Sequence, residues 1–548
     1  MKVDCIPFRD THYVSDLICD YFEQKENVRP LYHRFPSLSN FEAQIREKQQ
    51  SFSDDTRSVL VQSLQRQYEG FEVSDATQLH ITKLAETSTF TVTTGHQLNL
   101  FTGPLYFLYK IISTLNLAKQ LQETYPKYHF VPVYWMATED HDFEEIQYFK
   151  YKNQKIQWNR EAGGAVGDLE TSGLEEVTNA FESVLGPGEN AKYLVELFRK
   201  GYTQHTTLQA ATRYIANELF GKKGLVILDA HQPELKRLFI PAIENDLFRK
   251  TAYTQVTEQN NILEQHGYRV QVTPREINLF YLQKQLRNRI IEQEGQFFVD
   301  GTDISWTREQ LQKEVQGNPE RFSPNVIMRP LYQETILPNL CYIGGGGELA
   351  YWLQLKSYFE ASKQPFPILL LRDTLVLITD KQVRKLEKLN LELADLFLSE
   401  HELKVKKTKE LSEIPIDFSP QKKHLQRQFE DLYELAKKTD VTFLNAVKSQ
   451  EVKQIKGLKK LEKRLLKAQQ RNLSDQTERS VALQSALFPN GNLQERTQNF
   501  SAFYETFGKQ LINDLIRHLD PLQLCFKIIQ LTHTEDAENI AAVQAANH

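Results

Sequence analysis

Three short stretches concentrate the side chains that can do chemistry. The first is TTGHQLNLFTGPLY, residues 93–106. Here Gly95 and Gly103 let the backbone approach a ligand, while His96, Gln97, Asn99 and Thr102, with Lys110 downstream, offer hydrogen-bonding groups. It is neither a GxGxxG nor a Walker A loop, and its plain alternative is a strand-to-helix turn capped by Thr102. The second is ATEDHDFEEI, residues 137–146, which crowds Glu139, Asp140, Asp142, Glu144 and Glu145 around His141. Carboxylates this close repel one another unless a cation, an amine or a proton relieves them. Two chemistries fit: a general base that keeps an incoming amine neutral, and a metal site through Asp140, His141 and Asp142. An exposed acidic loop capping the next helix is the bland reading, and a lone histidine such as His141 is more often a structural group.

The third stretch is RPLYQETILPNLCYIGGGGELAYW, residues 329–352. Four consecutive glycines, 344–347, precede Glu348, Tyr351 and Trp352, predicting a flexible loop that enters a helix with backbone amides open to an anion. A linker is the alternative. Arg275, Arg329 and Arg372 can each pin a carboxylate or phosphate bidentately, although structural pairing is the commoner fate of an arginine. Cys341 has no histidine at local spacing and reads as a core cysteine.

These stretches need elements to hold them. FTVTTG, residues 90–95, is a β-branched run ending at glycine, and residues 104–121 open with a proline suited to the first helical position. HFVPVYWMA, residues 129–137, is a short apolar run of the kind buried in a parallel sheet, which completes a strand–helix–strand unit and carries Trp135. GLVILDA (residues 224–230), a helix from Pro233 and PFPILLLRDTLVLIT (residues 365–379) return to the same pattern, so the sheet is interrupted by insertions. VQVTP, NLFYLQ and QFFVDG, within residues 270–301, are short strands of a small inserted sheet, and the polar stretch from Phe41 to Gln67 reads as a solvated covering layer. Beyond Thr379 the character changes. Leu386, Leu389, Leu393 and Leu396 follow a coiled-coil seam, and a second helix carries Leu425, Phe429, Leu432 and Leu435. Leu444, Val447, Ile455, Leu458 and Leu465 extend the helical pattern among lysines, and after FPNGN a return helix runs from residue 493 to 519.

A chain of 548 residues corresponds to several structural units at roughly 150 residues each. Lys plus Arg is 66 and Asp plus Glu 71, a net charge of −5, which removes the electrostatic case for a general nucleic-acid binder. Hydrophobic residues at 40% and charged residues at 25% place it among soluble globular proteins. No apolar run approaches a membrane span, and MKVDCIPFRDTHYVSD lacks the apolar core of a secretory signal. Four scattered cysteines make no disulfide scaffold and no CxxC zinc site, so a reducing cytoplasm is the expected setting.

Taken together, TTGHQLNLFTGPLYFLYKI, VPVYWMATEDHDFEEI, RPLYQETILPNLCYIGGGGELAYW and FPNGNLQER, in this order and over nearly the whole chain, resemble the cysteine-adding enzymes of bacillithiol biosynthesis, the BshC family. The resemblance implies an α/β fold with a Rossmann-like parallel-sheet core resembling class I aminoacyl-tRNA synthetases. Two inserted connecting-peptide subdomains and a C-terminal α-helical coiled-coil domain that makes a homodimer are implied with it. The implied activity is a ligase joining the carboxyl group of L-cysteine to the free amine of glucosaminyl-malate (GlcN-Mal).

Carried over by position, TTGHQ stands where the synthetases place their HIGH-type signature, so His96 would stabilise charge on the activating group. Glu139, Asp140 and Asp142 would hold the amine and accept its proton. Gly95, Gln97, Asn99, Thr102, Gly103, Trp135, His141 and Arg329 would line the substrate site, over which Gly345, Gly346, Glu348, Tyr351 and Trp352 would close. A nucleotide, ATP or ADP, is implied at Arg384, Lys385, Leu386 and Asn490, and no metal is expected. The chain departs from the synthetases in having no KMSKS-type loop; the nearest lysine-rich stretch, KVKKTKE (residues 404–410), falls in the helical region. The expected divisions are 1–149 and 223–265 for the core, 150–222 and 266–322 for the insertions, 323–379 for core completion, 380–487 for the coiled coil and 488–548 for the return helix and tail. The rival readings are a metal-dependent hydrolase built on residues 139–142 and a non-catalytic coiled-coil scaffold.

Overall fold

A five-stranded, wholly parallel sheet forms the centre of the first part of the chain. Its strands are β1 (Thr89–His96), β2 (His129–Met136), β3 (Val226–Asp229), β4 (Asn339–Gly344) and β5 (Ile368–Leu371), in the spatial order β5-β4-β1-β2-β3. All eight residues of β1 are buried, which is why the run is apolar and β-branched instead of alternating. The computed structural model describes residues 2–152 and 154–532. It divides into a first unit running to Val376 and taking in Leu493–Ile529, and a second unit of Leu377–Asn492 with Gln530–Thr532.

The strand order sets where a ligand binds. From β1 the chain moves through helix α1 (Tyr106–Thr124) to β2 and then β3 on one side, whereas β4 and β5 lie on the other. The order therefore reverses between β1 and β4. Loops leaving the carboxyl ends of two such strands diverge and open a crevice. Strand β1 ends with Gly95 and His96 at this crevice, and after β4 the chain enters helix α2 (Gly346–Trp352).

The N-terminal helices are core, not a solvated cover. Phe41 and Ile45 are fully buried against Phe90, Val92, Leu117, Leu121 and Ile343. The charges that made the stretch look solvated are neutralised inside: Lys48 meets Glu334 at 3.0 Å with both side chains inaccessible, and Arg57 donates to the carbonyls of Leu84 and Thr89. The first insertion is a short hairpin followed by helices Leu174–Val184, Glu189–Thr203 and Leu208–Phe220. The second carries a five-stranded antiparallel sheet that includes Leu279–Gln283, Leu286–Gln293 and Gln296–Val299. VQVTP is not one of its strands. The amides of Gln271 and Val272 donate to the Gln354 side chain, which replaces a neighbouring strand.

Three further expectations change. The four glycines are not a flexible loop: Gly344 ends β4, Gly345 caps α2, and Gly346 and Gly347 form its first turn. A Cβ on Gly344 would come within 2.9 Å of the Tyr342 ring, so the strand end needs glycine for close packing. The return helix is three short helices, Gln494–Thr497, Ser501–Phe507 and Lys509–His518, broken where Asn499 bonds the carbonyls of Phe101 and Gly103 and again at Gly508, whose φ is 56°. They lead to a strand, Phe526–Leu531, that pairs antiparallel with Val3–Ile6 at the N-terminus. Beside that pairing Cys5 and Cys525 form a disulfide, 520 residues apart in sequence, whereas Cys19 and Cys341 are free and buried.

In the second unit the chain forms α3 (Asp380–Lys388), α4 (Glu400–Leu411), α5 (Ser419–Ala436), α6 (Val441–Asn472) and α7 (Ser474–Leu487). The leucine series from Leu386 to Leu396 is not one seam. Asn390 turns left-handed at φ 48°, the Leu391 amide closes back on the Leu386 carbonyl, and Leu393 and Leu396 belong to a separate 3-10 helix. Helices α5 and α6 do pair as an antiparallel hairpin around Phe429, Ala436 and Val447, with Tyr433 donating to Glu451 and Lys422 to Glu462.

Candidate active site

A cleft of about 910 Å³ opens in the first unit at the carboxyl ends of β1, β2, β3 and β4. Its lining includes Gly95, His96, Gln97, Trp135, Glu139, Asp140, His141, Arg329, Gly345, Glu348 and Tyr351, so most of the residues expected from the sequence meet in one place. The others do not line it. Asp142 is exposed ahead of the Phe143–Ile146 turn, Trp352 is fully buried and stacked on Tyr342, and Gly346 lies within the first turn of α2. Asn99 and Thr102 face a separate small chamber that also touches His96, Phe107 and Tyr202, while Gly103 packs on Asn99 at φ 65°. Arg384, Lys385 and Leu386 lie on α3 and Asn490 in a 3-10 turn, all in the second unit; Arg384, Lys385 and Asn490 are exposed and Leu386 is buried.

On the β1–β4 side, Lys110 of α1 ties the two diverging loops together. Its ammonium donates to the Gly95 carbonyl and meets a Glu348 oxygen, each at 2.6 Å. Glu348 also accepts from the Tyr342 hydroxyl at 2.6 Å and from the Gly345 amide at 2.8 Å. The amide expected to be free for an anion is thus capped by the helix's own glutamate. Burial would raise the Glu348 carboxyl, but Lys110 and these donors bring it down to about 2, and it stays ionised. His96 lies between Tyr106 and Phe107, where burial, reinforced by Lys110, pushes it down to about 3. The imidazole is therefore neutral near pH 7 and acts through hydrogen bonds, not as a cation; its Nε2 has no hydrogen-bond partner among the described residues.

Arg329 is held mainly by aromatic rings. Its guanidinium lies over Trp135, Tyr342 and Trp352, with centroid distances of 5.8, 5.4 and 5.9 Å. Its polar partners are Gln333 at 3.1 Å and the Tyr351 hydroxyl at 3.5 Å. Among the described residues it pairs with no carboxylate. Arg372, by contrast, is committed to Glu495 at 2.6 Å.

On the β2–β3 side the acids are already engaged. Asp140 accepts from Gln97 at 2.9 Å and from the His141 amide at 2.8 Å, which outweighs burial and holds its carboxyl well below the usual range. Glu139 is gripped by Lys236, whose ammonium lies 2.7 Å from one oxygen and 2.9 Å from the other, and it too is held low despite burial. The same carboxylate faces Nδ1 of His231 at 3.3 Å. Burial alone would lower that imidazole, but Glu139 overcomes it and raises its proton affinity. Arg287 crosses from the second insertion to bond His141 at 2.8 Å, and Arg275 and Arg289 line the same wall. No group of three or more His, Cys, Asp or Glu side chains among the described residues is arranged to hold a metal ion. Asp140, His141 and Asp142 accordingly do not converge as a ligand set.

His231, Lys236, Arg287 and Tyr342 are absent from the residues singled out by sequence. His231 had a usable signal: in VILDAHQP it lies just beyond the carboxyl end of a buried strand, as Glu139 does, and His96 is the last residue of its own strand. Arg287 had none, because LRNRIIEQ does not read as a strand and nothing local brings it to the cleft.

A parallel Rossmann-like sheet with a charged cleft at its reversal point, joined to a helical second unit, defines an α/β protein whose cleft is built for small polar ligands. Residues 1–373 match Bacillithiol biosynthesis BshC, N-terminal Rossmann-like domain, and residues 375–531 match Bacillithiol biosynthesis BshC, C-terminal coiled-coil domain. The chain belongs to the bacillithiol biosynthesis BshC family. A protein of Christiangramia forsetii named "Putative cysteine ligase BshC" is 55% identical over 533 residues, covering 96% of this chain and 99% of its own. One of the same name from Flavobacterium johnsoniae is 54% identical over 531 residues, with 97% and 100% covered. A solved structure titled as a putative arginyl tRNA synthetase from Campylobacter jejuni overlaps 76% of this chain and 92% of its own at 10% identity, with a TM-score of 0.20, a superposition too loose to carry any inference.

Proposed function

We propose that this protein is a cytoplasmic ligase that forms the amide between the carboxyl group of L-cysteine and the amine of glucosaminyl-malate. One observation carries the reading: along a single cleft, an arginine with no carboxylate partner lies on the β1–β4 side, and a histidine backed by a carboxylate lies on the β2–β3 side. The first receives an acid and the second handles an amine. Arg329, with neutral His96 and the Lys110–Glu348 pair nearby, suits the carboxyl group of cysteine and the charge that develops when it is activated. Arg275, Arg287 and Arg289 form a cationic wall suited to the two carboxylates of a malate group. Names borne by relatives at 54% and 55% identity support the same reaction class.

Condensing an acid with an amine in water requires activation of the acid and exclusion of solvent. ATP is the activating co-substrate in this proposal. Arg384, Lys385 and Asn490 are exposed groups of the second unit that would suit a second nucleotide, distinct from the ATP consumed in the cleft. Helices α5 and α6 expose the apolar side chains Leu435, Val441, Phe443, Leu444, Val452 and Leu461, and a second copy of the chain covers part of this set in a homodimer. The deciding experiment incubates the pure protein with cysteine and glucosaminyl-malate, with and without ATP, and follows products by mass spectrometry. The expected result is a condensed thiol formed only with ATP. Absence of that thiol under both conditions overturns the reading.

A further inference from the structure

We infer that His231 is the general base that takes the proton from the attacking amine, with Glu139 and Lys236 as its positioning residues. The inference rests on the amide-forming reading above. His231 lines the cleft with its side chain 22% exposed, so the ring reaches ligand while its far edge is held by protein. Nδ1 faces Glu139 at 3.3 Å, and a carboxylate at that nitrogen fixes the tautomer that leaves Nε2 as the basic atom. Glu139 cannot swing away, because Lys236 holds it while also donating to the Phe322 carbonyl at 2.9 Å. The backbone is held as well: the His231 amide donates to Asp229 at 3.0 Å, and Asp229 is fixed in turn by Gln209 and Gln232.

The acids first expected to serve as base are poor candidates for a physical reason. Glu139 and Asp140 are held ionised far below neutrality by the groups that bond them, and a strongly stabilised carboxylate has little affinity for an amine's proton; Asp142 is exposed and does not line the cleft. An imidazole whose proton affinity is raised by Glu139 despite burial suits the task better. The charged groups facing His231 are Glu139 from the end of β2, Asp229 from β3, Lys236 from the Pro233–Arg237 helix and Asp168 from the first insertion. Lys236 opposes the carboxylates, which tempers the rise that they produce.

The step balances as follows. The cysteine carboxyl enters as a mixed acyl–phosphate anhydride. The amine nitrogen attacks the acyl carbon and forms the C–N bond, and the bond from that carbon to the phosphate oxygen breaks, with its electron pair leaving on the phosphate. The amine proton passes to Nε2 of His231.

The test measures pH–rate profiles of the full-length enzyme, by mass spectrometry of the condensed thiol, for wild type, His231→Gln and Glu139→Gln. His231→Gln should lose about 10²–10⁴-fold in kcat with KM little changed, because a positioned base contributes on that scale. Added imidazole should restore part of the rate in His231→Gly. Glu139→Gln removes the charge that raises the imidazole's proton affinity, so the acid limb of the profile should move to lower pH, a shift that a merely structural contact would not cause. A His231→Gln enzyme within about threefold of wild type, or an acid limb unmoved in Glu139→Gln, overturns the assignment while leaving the ligase reading intact. A wild type that forms no condensed thiol overturns both.

Discussion

Arg329 is a cation drawn partly out of water with no carboxylate to meet it. Such a group costs stability, and aromatic faces at more than 5 Å recover only part of what hydration supplied. Residues of this kind persist where a ligand completes them. Replacement by methionine, close in length and apolar, should therefore leave thermal stability equal or higher while raising KM for cysteine about 10- to 100-fold, the loss expected for hydrogen bonds to a charged group. Calorimetry and initial-rate kinetics on Arg329→Met read the two quantities separately. A fall in stability with KM unchanged would mean that the guanidinium serves the fold instead of the substrate. Lysine would recover the charge but not the forked donor geometry, so Arg329→Lys should lie between the two.

Elements act here by what they bring to the reversal point of the sheet. Helix α1 does more than connect β1 to β2, since Lys110, buried one turn into it, is bonded to the loop after β1 and to Glu348 of α2 at once. Of the four glycines, Gly344 at the end of β4 sets the tightness of the strand-to-helix junction, where a side chain would collide with Tyr342 and Glu348. In the second unit, the α5–α6 hairpin has an internal core limited to Phe429, Ala436 and Val447 with their partly buried neighbours, while Leu435 is 52% and Val441 71% exposed. Two helices with so small a shared core gain from covering these side chains against a second copy, as the homodimer proposed above requires. Changing Leu435 and Leu444 to lysine should then give a monomer by light scattering, with helical content retained because the inner core is untouched. A mass equal to that of the wild type counts against these residues as the contact of the proposed dimer. Leu389, which caps the end of α3, and Leu393, which opens a separate 3-10 helix, are nominated for that role by the heptad spacing but make no continuous seam.

At the scale of the whole chain, legibility follows the range of the interactions that decide each feature. Buried parallel strands announce themselves as apolar runs, so β1, β2 and the loops that leave them can be read locally, and with them His96 and Asp140. Features decided by distant partners cannot. The buried charges of the N-terminal helices read as solvent-facing until Glu334 is brought alongside Lys48, and the strand Val3–Ile6 is four residues long with a partner more than 500 positions away. The disulfide between Cys5 and Cys525 belongs to the same class, since a sequence separation of 520 leaves no local spacing to read. It fastens the N-terminal strand to the segment that carries Lys527, whose ammonium is buried against Asp373 at 2.6 Å, next to Arg372 on the cleft wall. A cross-link restricts the unfolded chain, but the gain grows only logarithmically with loop length, so even this span contributes about 2–5 kcal/mol. Cys5→Ser should therefore lower the unfolding free energy by that amount in oxidised protein and abolish any response of the melting temperature to reductant. Turnover well below the transition should stay near wild type, because Asp373 and Lys527 remain paired within the sheet. Identical melting curves for wild type and Cys5→Ser without reductant would show that the N-terminal strand is held by pairing and packing alone.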